Sequence, residues 1–468
     1  MMSNNRFTNP LGLAAVMQAG RRRTVEALVV FVMLFALALP GLAQDQGGTA
    51  KSKGILPVPD YSGDLRSRSY LTGDWGGVRS EWADKGFQAD IQFVQIVQSV
   101  VDGGLDTSTQ YGGTLDYNIN LDLDRMGLIP GGLVTFRAES RYGKSINGIT
   151  GQLLPANTDA LVPLTDELDQ DIAITVTNLN YTQFLSEKVA LLAGKLDTLQ
   201  GDYNEFAGGG GRGVDQFMNY NLITNSPGAY PVGYSVLGGG IFLMPNENIT
   251  IGNYLFTTTD SSTTSGFDTF DDGWTWNMEA YYKYKLANKP GGVMGAVMYS
   301  FDNDYDRLNG KLSYTPGDGL ETTTKNDTWS FYFNGWQYLY VEDPDAGPVD
   351  VTNGELEHQG VGVFWRIAFA DKDTNPAKFF ASGGVSGRGV IPGRDDDTFG
   401  LGYFYTDIEE TRLGDIFELQ DHSQGFEAFY NLAITKAMFL SADFQLLDPI
   451  QQDLDTAVVL GARLKMMF

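Results

Sequence analysis

Residues 456–468 read TAVVLGARLKMMF. Val458, Leu460, Ala462, Leu464, Met466 and Phe468 fall on one face of an extended strand, and Ala457, Gly461, Arg463 and Lys465 on the other. Side chains alternate faces along a strand, so this stretch has an apolar side and a small or polar side. A strand of this kind at the edge of a soluble sheet invites aggregation. A closed barrel resolves the conflict: the apolar face meets lipid, and the last strand pairs with the first.

Composition points the same way. The 468 residues include 57 Gly, 28 Phe, 23 Tyr and 7 Trp, with no Cys and two His. Barrel strands alternate, so they dilute hydropathy instead of producing long apolar runs. The one long run, Ala27–Leu39, follows Arg21, Arg22 and Arg23 and precedes Pro40-Gly41-Leu42-Ala43. That pattern predicts a secretory signal over residues 1–43, because thirteen apolar residues are too few for a spanning helix, which needs about 20. The remaining chain carries a formal charge of −29, which excludes nucleic acid as a partner. Without cysteine, disulfides contribute nothing to its stability.

Residues 44–86 are predicted to be a periplasmic leader: a flexible, turn-rich part to 70, then a short helix over Val78–Lys85 stopped by Gly86. Trp75 and Trp82 are expected to pack that helix on the barrel mouth as a cap. From Phe87 the period is two. Leu115, Tyr117, Ile119 and Leu121 oppose Asp116, Asn118, Asn120 and Asp122; Met278, Ala280 and Tyr282 oppose Glu279 and Lys283; Trp365 and Ile367 oppose Arg366. A slip of phase at Gln95 suggests a bulge. Alternation and turn signals give about sixteen strands, starting near 87, 112, 131, 172, 188, 234, 248, 273, 291, 328, 358, 377, 397, 425, 437 and 456. Many are longer than the five or six residues usual in soluble sheets. Aromatics at strand ends, among them Tyr338, Tyr340, Trp274, Trp276 and Phe468, suit interfacial girdles. Long connections (143–171, 198–233, 258–272, 302–327, 408–424) alternate with short ones; only 342–357 breaks the pattern. The fold class is therefore all-β, a closed antiparallel transmembrane barrel spanning 87–468.

Two stretches carry a resemblance. Leu71–Phe87 (LTGDWGGVRSEWADKGF) and Gly425–Phe468 (beginning GFEAFYNLAITKAMFLSADFQLLDP) resemble the carbohydrate-selective porins of Gram-negative outer membranes, the OprB family. Gly393–Tyr405 and Ala193–Gly209 are similar to family segments between them. The resemblance implies an outer-membrane location, passive passage of small carbohydrates through a pore in each barrel, and barrels able to associate as a homotrimer. It also implies contact with lipid and lipopolysaccharide, and assembly through the barrel-assembly machinery, which would engage the strand ending at Phe468.

Selection in a pore falls to its narrowest ring. Alternation places Asp116, Asn118, Asn120, Arg137, Glu139, Arg141, Glu279, Lys283 and Arg366 on the lumen face. They are either wall ion pairs or sugar contacts at a constriction. The 36-residue connection Thr198–Gly233 holds Tyr203, Phe206 and Arg212; at that length it is either an inward-folded segment whose rings stack on pyranose faces or a solvated outer loop.

Three chemical motifs fail. Gly208-x-Gly210-x-x-Gly213 lacks the strand and helix of a dinucleotide site. Asp302-Asn303-Asp304-Tyr305-Asp306 starts like a calcium loop, but Arg307 stands where glycine is needed. Asp421-His422-Ser423 are consecutive and cannot converge as a triad. No cofactor, metal or catalysis is expected. The rival readings are a non-catalytic barrel acting as adhesin or receptor through its long loops, a barrel enzyme, and a soluble β-sandwich or propeller lectin.

Overall fold

The computed structural model describes residues 54–468 apart from 166–168, 209–213, 316–318, 344–355 and 357. The signal read over 1–43 lies outside them, as does most of the irregular connection 342–357. The wall is one closed antiparallel sheet of sixteen strands. Its first nine are β1 (Phe87–Asp102), β2 (Thr109–Asp122), β3 (Gly132–Gly143), β4 (Ile172–Ser186), β5 (Val189–Asp197), β6 (Ser235–Asn246), β7 (Ile249–Thr257), β8 (Trp274–Leu286) and β9 (Lys289–Asp306). A small hairpin, β10 (Ser313–Thr315) and β11 (Gly319–Glu321), stands apart from the wall. The wall then continues through β12 (Thr324–Val341), β13 (Gly360–Ala370), β14 (Ala377–Arg388), β15 (Thr398–Ile408), β16 (His422–Thr435), β17 (Met438–Leu447) and β18 (Ala457–Met467). Each strand begins within four residues of its expected start.

Closure follows from the C-terminal stretch. β18 pairs with β1, Gln98 opposite Gly461 and Gln92 opposite Met467. The Phe468 N–H donates to the Ile91 carbonyl at 2.8 Å, and the Ile91 N–H donates to the Phe468 carbonyl at 3.2 Å. In hydrocarbon every backbone group must be paired within the protein, and a ring without edges is how strands achieve this. Leu460, Met278, Tyr282 and Ile367 are exposed on the outer face, whereas Arg463, Lys465, Glu427 and Arg366 are buried inside.

Three local expectations are corrected. No bulge lies at Gln95: β1 runs in unbroken register with β2 from Phe87 to Ser99. Val94 and Ile96 are apolar yet point inward in that register, where Val214 and Ala160, on inward-folded loops, pack against them. Tyr338 is no girdle residue, since its hydroxyl donates inward to Glu205 Oε1 at 2.7 Å. An irregularity between Tyr338 and Tyr340 then leaves Leu339 and Tyr340 exposed. Trp274 is buried, with the Phe270 ring of the 258–272 connection 5.7 Å away.

The leader is also fastened differently. The helix, α1, spans Val78–Asp84, and Gly86 follows at φ +95°, a left-handed stop that glycine adopts freely. Arg79 and Ala83 are its buried residues, while Trp75 and Trp82 face outward. Residues 54–70, expected to be flexible, are tied to the short-turn rim. The Ile55 and Leu56 N–H groups donate to Asp122 Oδ2 at 2.6 and 3.0 Å, and Gln88 Nε2 donates to the Pro57 carbonyl at 2.7 Å.

Candidate functional site

The lumen is divided along its length. The described parts of the connections 144–171 and 198–234 fold inward and press against the half of the wall made by β12–β18 and β1. Apolar packing contributes first. Phe217 lies 5.3 Å from Phe364 and 4.9 Å from Phe429, ring to ring, and Phe206 lies 4.6 Å from Tyr338 and 6.2 Å from Trp336. Such offset and edge contacts add to the burial of the rings themselves. Phe206 is fully buried there, so its ring serves loop packing and does not face the open space.

Inward-facing polar groups of the wall then bind the loop backbone. Arg366 pairs with Asp202 at 3.2 Å and donates to the carbonyls of Ala207, Leu222 and Ile223 at 2.6, 2.7 and 3.1 Å. Glu427 accepts the N–H groups of Met218 and Asn219 at 2.6 and 2.9 Å. Arg463 pairs with Asp159 at 3.1 Å, and Lys465 with Asp215 at 2.5 Å. Buried charges persist when paired and hydrogen-bonded, and Arg366, Arg463 and Lys465 each have a carboxylate partner, whereas Glu427 is satisfied by backbone N–H groups. Burial pushes the Asp159 carboxyl up to about 6, against the opposing pull of Arg463.

The other half stays open. A cavity of about 720 Å³ is bounded by the inner faces of β2–β9 and by the exposed side of the two loops. The register of β2, β3 and β4 builds its polar wall: Asn118, Arg137 and Asn178 form one row across the strands, and Thr135 and Asn180 line it from the next, where Asn120 pairs with Thr135 but does not itself line the cavity. Arg137 donates through Nη1 to Asp197 Oδ2 at 2.6 Å and through Nε to Asn118 Oδ1 at 3.2 Å, which holds the guanidinium at the cavity wall. Glu279 stands on β8, accepting from the Tyr254 hydroxyl at 2.9 Å and from Asn277 Nδ2 at 3.3 Å. Tyr203 lines the cavity from the loop, its ring edge-on to Tyr281 at 5.4 Å. Leucines 192, 196 and 199 and Phe256 supply apolar surface between these polar groups.

The structure thus sorts the residues singled out in the sequence. Asn118, Arg137, Glu279 and Tyr203 come together around the cavity. Asp116 is buried beside them and accepts from Gln92 Nε2 at 3.0 Å. Glu139 is buried too, accepting the Tyr234 hydroxyl at 2.8 Å. Arg141 holds loop backbone, donating to the carbonyls of Leu161, Pro163 and Gln170. Lys283 is exposed near the short-turn end of β8, and Arg212 lies outside the described residues. Sequence reading did not pick out Asp197, Tyr234, Tyr254 or Tyr332; Asp197, Tyr254 and Tyr332 stand on β5, β7 and β12, and barrel closure together with the inward connection that carries Tyr234 brings them to one cavity. Among the described residues no cluster of three or more His, Asp or Glu could hold a metal ion.

A sixteen-strand membrane barrel with an off-centre, part-apolar cavity beside an inward-folded loop plug is a diffusion channel. A model of the "Carbohydrate-selective porin, OprB family" matches residues 106–468, and the chain belongs to that family. Porin B of Pseudomonas aeruginosa is 21% identical over 437 residues, covering 85% of this chain and 91% of its own. The high-pH structure of Pseudomonas putida OprB superposes with a TM-score of 0.71 at 18% identity, covering 86% of this chain and 99% of that one. The low-pH structure of the same protein gives 0.52 at 15% identity, with the same coverage.

Proposed function

We propose that sugars cross the Gram-negative outer membrane through the open half of this barrel, along the wall from β2 to β9. The observation that carries this is the cavity in which Arg137, Asn118, Asn178 and Glu279 share space with Tyr203 and Tyr281. A sugar offers hydroxyls on its edges and apolar C–H groups on its faces, and this lining offers fixed polar partners alongside aromatic and leucine surface. Passage is passive and no chemistry is required: a channel needs binding strong enough to enter and weak enough to leave. An affinity near 1 mM, about 4 kcal/mol, meets that condition. Residues 1–43 serve as the export signal, residues 44–86 as the leader, and lipopolysaccharide as the outer-leaflet surroundings. The strand ending in Phe468 is the handle for barrel assembly, and a homotrimer is the assembly we assign. These last assignments are supported by the sequence pattern and by the family.

Planar-bilayer conductance with sugar titration tests the passage. Current should fall in a saturable way with one sugar class. Arg137→Ala should weaken that block about 10- to 100-fold, since a hydrogen bond to a charged group contributes about 1.5–3 kcal/mol. Block of equal strength in the variant, or none in the wild type at molar sugar, would remove Arg137 and this wall from the passage.

A further inference from the structure

The leader carries an outward surface that the channel does not use. Trp75 is 51% exposed, Trp82 42% and Val78 38%, while Arg79 and Ala83 on the same short stretch are buried. The exposed rings are not scattered. Trp82 meets Trp75 edge-to-face at 5.9 Å and Phe87 edge-to-face at 5.4 Å. Phe87 opens β1 and shares the outward parity of Ile91 and Val97, both exposed on the face that meets lipid. One aromatic surface therefore runs from α1 onto the hydrocarbon-facing wall.

Its orientation is set by Arg79. The guanidinium lies 4.1 Å from the Tyr61 ring centroid, 4.6 Å from Tyr70 and 5.2 Å from Trp75. Its Nη2 donates to the carbonyls of Ala89 at 2.9 Å and Phe468 at 3.4 Å, the point where β18 runs out beside β1. The Leu71 N–H adds a bond to the Met467 carbonyl at 2.7 Å. Turning α1 to bury its tryptophans would break all of these. Tryptophan, with an apolar body and one polar N–H, concentrates at the boundary between headgroups and acyl chains.

We propose that Trp75, Val78 and Trp82 insert into the inner-leaflet boundary of the bilayer. Phospholipid is the occupant of this surface, and the leader is a membrane anchor riveted to the barrel seam by Arg79. Continuity with the lipid-facing wall favours lipid over a soluble partner or a second copy. The absence of native cysteine makes a clean test available. Trp82→Cys, Val78→Cys and Ser62→Cys, the last an exposed leader site, would each carry a small fluorophore in full-length barrels reconstituted into phosphatidylcholine–phosphatidylglycerol vesicles. Val78→Cys keeps both tryptophans, so it reads the surface even if loss of the Trp82 ring disturbs the cap. Nitroxide carried on shallow acyl positions should quench labels at 78 and 82 at least about twofold more than at 62, and aqueous iodide should show the reverse order. Iodide reaching all three alike would overturn the proposal. So would equal shielding from both quenchers at 78 and 82, which would place protein on the surface.

Discussion

Replacing Arg366 with alanine should loosen the plug and widen the channel. The guanidinium is fully buried, faces the Asp202 carboxylate at 3.2 Å, and donates to three loop carbonyls between 2.6 and 3.1 Å. Removing one partner of a buried pair leaves the other charge uncompensated, at a cost of about 3–5 kcal/mol. Arg366→Ala should therefore lower the unfolding free energy by about that amount and favour undocking of the loop backbone around Asp202, Ala207, Leu222 and Ile223 by roughly two to three and a half powers of ten. Glu427, Arg463 and Lys465 still hold the loops, so we expect a barrel that assembles, with raised, noisier unitary conductance and an earlier thermal transition. A second variant separates charge burial from packing. Asp202→Asn with Arg366→Met removes both charges, and neutralising a buried pair costs less than breaking it, so stability should recover by about 1–3 kcal/mol over Arg366→Ala. Single-channel recording and thermal denaturation in detergent read both. Unchanged conductance and unchanged midpoint in Arg366→Ala would refute the idea that this residue holds the plug.

Other outcomes follow from the division of the lumen. Asn180→Cys, on the open wall, should react with a charged thiol reagent and lose current, whereas Ser441→Cys, buried behind the plug on β17, should not; equal loss would mean that ions pass on both sides. Phe217→Ala should cost about 3–5 kcal/mol by emptying the space between Phe364 and Phe429, measured by chemical denaturation. Asp159, ordinarily near 3.8, is pushed up to about 6, so the folded state holds its proton more tightly than the unfolded chain does. That contribution is complete below about pH 4 and is lost as pH rises through 6, amounting to at most about 3 kcal/mol. Asp159→Asn should flatten that slope in a melting series from pH 4 to 8, and a slope equal to that of the wild type would assign it to another group.

The wall was legible in the chain because barrel physics is local: a period of two, a turn, and the next strand. Ile91, Val97 and Val101 are exposed outward and Gln98 is buried inward in the phase that alternation requires. Length marked the Thr198–Gly233 connection as unusual, since 36 residues exceed what a surface turn needs, but it left open whether that segment folds inward or stands in solvent. Where reading failed, the cause was a neighbour remote in sequence. Val94 and Ile96 look out of phase until Val214 and Ala160 are packed against them. Phe206 looks like a sugar platform until Tyr338 and Trp336 cover it.

By itself, the sequence determined a closed barrel, its strand count and the face each strand turns to lipid, because membrane insertion penalises every exception to the alternation. Tertiary structure alone decided which half of the lumen stays open. That choice rests on the docking of Asp159, Asp202 and Asp215 onto Arg463, Arg366 and Lys465, pairs separated by 304, 164 and 250 residues, and no local pattern encodes a partner at such range.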